Sequence, residues 1–303
     1  MRNTYLKMLY NFAKMDDRVV SLVADNGVIV YDDFMNDFPE RFYNFGISES
    51  HMVSAAAGMA SCGLIPYVYT VSAFLAYRAY EFIRDDVCYQ NQNVKIVGIG
   101  SGLTYSTLGP SHHTTEDIGL LRSLPNLTVF SPATREEVKW IMQKSYETVG
   151  PVYIRLSNNN EEYHSVDCKF GLGVPAEIRS GDEYVVFTTG SITSVAIKVA
   201  KRFEDEGIKI AVYSVHTLKP INELKVAEII SKYRKVIILD EHNKIGGLYS
   251  ALTEIMIAQQ VYRPVLNLGL EDRFAVGYGT LEEVRCTNGL DEISVYNKVK
   301  GFI

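Results

Sequence analysis

The sequence predicts an α/β protein in two domains: a mostly parallel sheet covered by helices, followed by a smaller α/β unit. Three observations predict this. Short apolar runs alternate with longer helical patterns, as in sheets buried on both faces. The chain has 303 residues, more than one ordinary domain needs. A polar, glycine-containing stretch near the middle interrupts the alternation.

The first series opens with Val19-Val20-Ser21-Leu22-Val23, a buried strand, and the alanine-rich helix Ser50 to Cys62. Pro66 to Val71 is the next strand and Ala73 to Cys88 the next helix, followed by a strand at Val94 to Ile99. Leu127 to Phe130 is a strand, and Thr134-x-x-Glu137 starts a helix with a capping box. Pro151 to Leu156 ends the series. These elements give a first domain over 1–160, a linker over 161–180 and a second domain over 181–303. The second series has strands at Tyr184–Phe187, Ile210–Tyr213 and Val236–Leu239, with helices at Ser191–Glu204, Asn222–Tyr233 and Gly247–Gln259. Leu281–Gly289 and Leu290–Lys300 read as closing helices.

Composition excludes several functions. Hydrophobic residues make up 47% and charged residues 22%, which fits a globular rather than a disordered chain. A net charge of −6 with no basic block argues against nucleic-acid binding. Cys62, Cys88, Cys168 and Cys286 form no CxxC pair, against a zinc site or disulfide scaffold and for a reducing, cytoplasmic setting. Ser50 to Tyr77 is uncharged and long enough to span a bilayer, yet Gly63-Leu64-Ile65-Pro66 breaks any single helix there. We therefore expect soluble core and no membrane contact.

Three places carry candidate chemistry. Glu49 stands at the start of the uncharged helix, where it reads as a capping acid or as a carboxylate in an apolar wall able to share a proton with a ligand. The loop Gly100 to Thr115 follows a strand and ends in Gly109-Pro110-Ser111-His112-His113, at the edge where α/β proteins bind ligands. Adjacent histidines point apart, so at most one of them reaches a substrate; both could equally be surface residues. Phe74, Tyr77 and Tyr80, spaced by three, read as core packing or as a ring face for a planar cofactor. There is no GxxxxGK[ST], no GxGxxG after a strand and no HExxH.

At these same residues a resemblance emerges. Phe45-Gly46-Ile47-Ser48-Glu49-Ser50-His51-Met52 through Ala60, Phe74-Leu75 through Tyr80, and Gly109-Pro110-Ser111-His112-His113 are similar to the pyrimidine-binding domain of transketolases. Leu124-Pro125-Asn126-Leu127 and Ser131-Pro132-Ala133 continue the match, which is as good to 1-deoxyxylulose-5-phosphate synthase. Thr189-Gly190-Ser191, Asp240-Glu241-His242 and Gly246-Gly247-Leu248 resemble the family's C-terminal domain. The resemblance implies thiamine diphosphate as cofactor, with Glu49 as the glutamate that hydrogen-bonds its aminopyrimidine. It places Tyr77 against the pyrimidine with Phe74 and Tyr80 beside it, His112 on substrate oxygens, and Asp25 in the cleft. His113 and Arg155 are further substrate-contact candidates.

Transketolases begin with a diphosphate-binding domain carrying a Gly-Asp-Gly metal motif, and no such motif occurs in this chain. The expectation is the C-terminal subunit of a split enzyme, favoured by the start at Met1 over a fragment. An N-terminal partner subunit would hold the diphosphate with Mg2+ or Ca2+, giving an α2β2 assembly; no metal ligand is assigned to this chain. Three positions depart from the family. Leu108 replaces an Asp that contacts a sugar hydroxyl, while Gly100 and Asn158 stand where a His and an Arg grip the sugar phosphate. An atypical acceptor follows. Ketol transfer is the leading reading; a decarboxylating enzyme (of the synthase type, which His113 favours, or a 2-oxoacid dehydrogenase β subunit) and a non-catalytic interface subunit are the alternatives.

Overall fold

In the computed structural model, which describes residues 1–26, 28–158 and 169–303, the apolar runs become strands buried along their whole length. The first half contains α1 (Arg2–Met15), β1 (Val19–Val23), α2 (Asp32–Asp37), β2 (Phe42–Asn44), α3 (Glu49–Ser61) and β3 (Ile65–Val71). It continues with α4 (Tyr80–Phe82), β4 (Lys95–Ile99), α5 (Asp117–Leu121), β5 (Thr128–Phe130), α6 (Arg135–Glu147) and β6 (Val152–Leu156). The second half contains β7 (Ala176–Arg179), β8 (Tyr184–Thr188), α7 (Thr193–Glu204), β9 (Ile210–Ser214), β10 (Thr217–Lys219) and α8 (Glu223–Ser231). It ends with β11 (Lys235–Asn243), α9 (Leu248–Ala258), β12 (Val265–Leu270), α10 (Leu281–Thr287) and α11 (Glu292–Phe302).

Two sheets result. The first has the order β10-β5-β6-β4-β3-β1-β2 and is parallel except for β10; the second has the order β12-β11-β8-β9-β7 and is parallel except for β7. One face of the first sheet is covered by α1 and α6, with Tyr5, Leu9, Phe12, Ile141 and Met142 in the core. The core on the other face is continuous between the two halves, joining Val53, Ile118 and Leu121 to Phe187, Ala211 and Leu252. An apolar interface of this kind docks the domains firmly.

Two expectations need correction. The linker over 161–180 is not all linker: β7 lies within it and pairs antiparallel with β9, while its residues 161–168, with Cys168, fall outside the described residues. Nor is the helix expected from Ala73 to Cys88 uniform. Phe74–Arg78 and Ile83–Tyr89 are π-helical, on either side of α4. Wider turns of this kind re-aim side chains and are frequent at functional sites. The helix start at Thr134 forms, but with a shifted box. Thr134 accepts from the Glu137 N–H, while Glu137 accepts from the N–H of Ala133. Among the described residues no helix is long and apolar enough to cross a membrane.

Candidate active site

Because β1 to β4 and β6 run parallel, the segments that follow them emerge at one edge of the sheet. That edge collects most of the candidates. Glu49 is the first residue of α3 and is 1% exposed. The Ser48 side chain makes no capping bond, so the helix dipole and Arg78 are left to support the carboxylate. The Arg78 guanidinium donates to Glu49 Oε2 at 3.0 Å and lies 4.9 Å from the centre of the Phe74 ring. Phe74 in turn meets the His112 ring edge-on at 5.0 Å. Glu49, Arg78, Phe74 and His112 thus form one connected wall.

Tyr77 completes that wall. Its hydroxyl donates to Glu116 Oε2 at 2.5 Å and accepts from the backbone N–H groups of Thr115 and Glu116, both at 3.1 Å. The phenol is held by its tip while the side chain remains 37% exposed. Burial of the hydroxyl, with Asp117 and Glu116 nearby, raises its pKa well above the usual value and keeps it protonated.

The loop after β4 is closed by paired backbone bonds between Gly102 and Thr114 (3.0 and 2.9 Å). Gly100 has a φ of +90°, and a β-carbon there would fall inside the Tyr105 ring. Tyr105 thus occupies the space a side chain at position 100 would take, and its ring lies 6.2 Å from that of His112. A β-carbon on Gly109 would likewise strike Tyr278, which reaches over from the second domain. The Ser111 hydroxyl lies 2.9 Å from His112 Nδ1. His113 is 3% exposed, and neither ring nitrogen has a hydrogen-bond partner among the described residues. Burial lowers its pKa against the pull of Glu241 and Glu116, so the ring is neutral at pH 7.

The structure does not bring every candidate together. Tyr80 is partly buried against the apolar core on the α3 side rather than in the wall. Asp25 is exposed, in the left-handed region at φ 55°, and its N–H donates to Asn44 Oδ1 at 3.0 Å. Arg155 was expected to contact substrate, but its side chain is 1% exposed and pairs with Asp117 at 2.9 Å. It also donates to Thr114 O at 2.9 Å and Glu241 O at 3.3 Å. Burial works against its charge, but Asp117 and Asp240 prevail and raise its pKa. Arg155 is therefore a rivet between the loop that carries His112 and the second domain. Its position in a strand allowed no such conclusion, because burial on both sheet faces depends on the partner elements.

The Asp240-Glu241-His242 motif serves the same junction. His242 Nε2 accepts from the Gly119 N–H at 3.2 Å, and Nδ1 faces Asn243 O at 2.8 Å, which fixes the Nδ1–H tautomer. Asp240 accepts from the Leu248 N–H at the start of α9. Glu241 pairs with Arg285 at 2.5 Å and accepts from Ser191 at 3.2 Å. Sequence reading did not name Arg78, Tyr105 or Glu116; the usable signals were the adjacency of Arg78 to Tyr77 and the place of Tyr105 within the loop from Gly100 to Thr115.

This fold is that of the transketolase family. The chain is a member of it: residues 1–162 match the transketolase pyrimidine-binding domain and residues 175–286 the transketolase C-terminal domain. It is 32% identical to a protein of Methanocaldococcus jannaschii described as a transketolase C-terminal section, over 99% of this chain and 95% of that one. It is 30% identical to one of the subunits of the apulose-4-phosphate transketolase of Actinobacillus succinogenes, over 97% and 96%. A solved split gene transketolase, in an inactive β4 tetramer, superposes with a TM-score of 0.87 at 34% identity, covering 99% of this chain and 96% of that one.

Proposed function

We propose that this chain is the C-terminal subunit of a split transketolase, moving a two-carbon ketol unit from a ketose to an aldehyde with thiamine diphosphate. The observation that carries this is the buried Glu49 carboxylate at the head of α3, paired with Arg78, the chain neighbour of the partly exposed Tyr77. These residues fit an aminopyrimidine: a carboxylate can share a proton with a ring nitrogen, and a phenol anchored by its tip leaves a ring face open. When bound, the cofactor supplies the electron sink for cleavage of the carbon–carbon bond. Glu49 would hold the aminopyrimidine through a hydrogen bond from its buried carboxyl group, where a proton can be shared. The Arg78 guanidinium, 3.0 Å from Oε2, and the start of α3 fix the position of that carboxylate. His112 has Nδ1 occupied by Ser111, leaving Nε2 to bind substrate oxygen and carry its proton.

Support for a partner comes from the family. The relative in A. succinogenes is named as one subunit of its transketolase, and the solved neighbour is an inactive assembly of β chains alone. By this reading the diphosphate and its metal ion (Mg2+ or Ca2+) rest mainly on a separate N-terminal subunit in an α2β2 enzyme. The test is Glu49→Ala in the reconstituted complex. Turnover should fall to background while the complex still assembles; unchanged turnover would instead make this a structural subunit. One observation favours a decarboxylating enzyme: the buried ring of His113 next to His112, with neither nitrogen hydrogen-bonded among the described residues. Release of CO2 from pyruvate by the wild-type complex would establish that reading.

A further inference from the structure

The loop that carries His112 meets the second domain at two glycines, and at each a second-domain side chain fills the place of the missing β-carbon. At Gly102, with φ +61°, a β-carbon would fall 2.5 Å from Glu241 Oε2. At Gly109, with φ +75°, it would fall 2.3 Å from Tyr278 Cε1 and 2.8 Å from Cζ. Both backbones lie in the left-handed region that favours glycine. Gly109 is buried, although Leu108 and Pro110 on either side of it are exposed. Its carbonyl accepts from the backbone N–H groups of His112 at 2.9 Å and His113 at 3.2 Å. The place of Gly109 therefore sets where both histidines stand.

Tyr278 stands on an arch between β12 and α10 that is tied at both feet. Asn288, at the end of α10, donates to Val276 O at 2.8 Å and accepts from the Val276 N–H at 3.1 Å. Glu283 accepts from the Thr280 N–H at 2.8 Å. Between these ties, Gly277 (φ +96°) and Gly279 (φ +134°) turn the chain on either side of the tyrosine. The Tyr278 side chain is 69% exposed, so packing in the core of the second domain does not account for it. The same stretch also grips the base of the loop: Arg285 of α10 donates to Glu241 Oε1 at 2.5 Å and holds the carboxylate that lies against Gly102.

We propose that Tyr278 is a positioning residue, whose ring rests on Gly109 and fixes the turn that presents His112 to the substrate. It acts through the backbone of that turn, while Phe74 and Tyr105 face the His112 ring itself. Without the Tyr278 ring, Gly109 is free to shift and His112 shifts with it. A displacement of about 1 Å in a reacting group can cost ~100-fold in rate. The role of His112 rests on the ketol-transfer reading; the contact of Tyr278 with Gly109 does not.

The first experiment needs no turnover. Diethyl pyrocarbonate acylates histidines, and mass spectrometry of the full chain after digestion reads the rate at His112, with the exposed His51 as internal reference. The His112 rate should rise several-fold in Tyr278→Ala and stay at the wild-type value in Tyr278→Phe, which keeps the ring edge on Gly109. Tyr262→Ala, another exposed tyrosine of the second domain, should change nothing. In the reconstituted complex, Tyr278→Ala should lower kcat about tenfold or more with a smaller change in KM, and Tyr278→Phe should restore it. An unchanged His112 rate in Tyr278→Ala overturns the proposal. So does a raised KM at constant kcat, or an equal loss in the Ala and Phe variants, because the hydroxyl would then touch the substrate directly. A wild-type complex without ketol transfer, whose His112 rate still responds to Tyr278→Ala, would refute the functional reading and leave the clamp standing.

Discussion

Arg155→Leu separates a rivet from a substrate grip. The substitution leaves Asp117 buried without its cation and deprives Thr114 O and Glu241 O of a donor. Breaking one side of a buried pair costs about 3–5 kcal/mol. Unfolding entropy near 2.1 cal/mol/K per residue gives about 0.6 kcal/mol per degree for a chain this long, so Tm should fall by about 5–8 °C. Arg155→Leu/Asp117→Leu removes both charges and should regain much of the loss, less the hydrogen bond that Tyr153 donates to Asp117 at 2.8 Å. Differential scanning calorimetry of the three proteins reads this directly. Because Thr114 O lies two residues beyond His112, turnover in the complex should fall as well. A Tm within a degree of wild type, with only KM raised, would refute the reasoning and return Arg155 to the substrate.

Three further outcomes follow from the same geometry. His112→Ala should preserve cofactor binding and slow turnover by ~10²–10⁴-fold; wild-type turnover would end its assignment. Gly100→Ala forces a β-carbon into the Tyr105 ring at a φ of +90°, so it should lower Tm and displace the loop, seen as a loss of turnover larger than that of Gly58→Ala, which meets nothing. Burial pushes Glu137 up to about 7. Its folded-state pKa lies above the unfolded value, so the folded chain keeps a proton that the unfolded chain releases, and stability falls as pH rises from about 4.5 to 7. In Glu137→Gln that decline should flatten, which a Tm series from pH 5 to about 8 would show; an unchanged slope would mean that other groups cause it.

Much of the fold was legible because strands buried on both faces read as apolar runs, and β1, β3, β4, β5, β6, β8, β9 and β11 fall where those runs lie. The elements not read depend on information that is not local. β2 is three residues with an exposed or half-buried pattern, and β10 is likewise three residues, held by its pairing with β5. β7 is polar enough to resemble a linker. α1 did carry a readable stripe (Tyr5, Leu9 and Phe12), yet its exposed face diluted it. The site divides in the same way. Glu49 and His112 were visible from an unusual charge at a helix head and from a histidine loop after a strand. Arg78 joins them only because a π-helical turn re-aims it, and Arg155 leaves them because a second domain covers its strand end.

The pairing of Thr217 with Phe130 and of Lys219 with Val129 also governs how this polypeptide can be divided. A gene cut anywhere between 160 and 180 would separate the two sheets on paper, yet strip β5 of its neighbour and bare a row of unpaired amides and carbonyls. An open edge of that kind recruits other chains. The shortest segment able to seal the first sheet therefore runs past Lys219, deep into the second half. Division at the apparent domain boundary would therefore replace a sealed sheet with an aggregation-prone one.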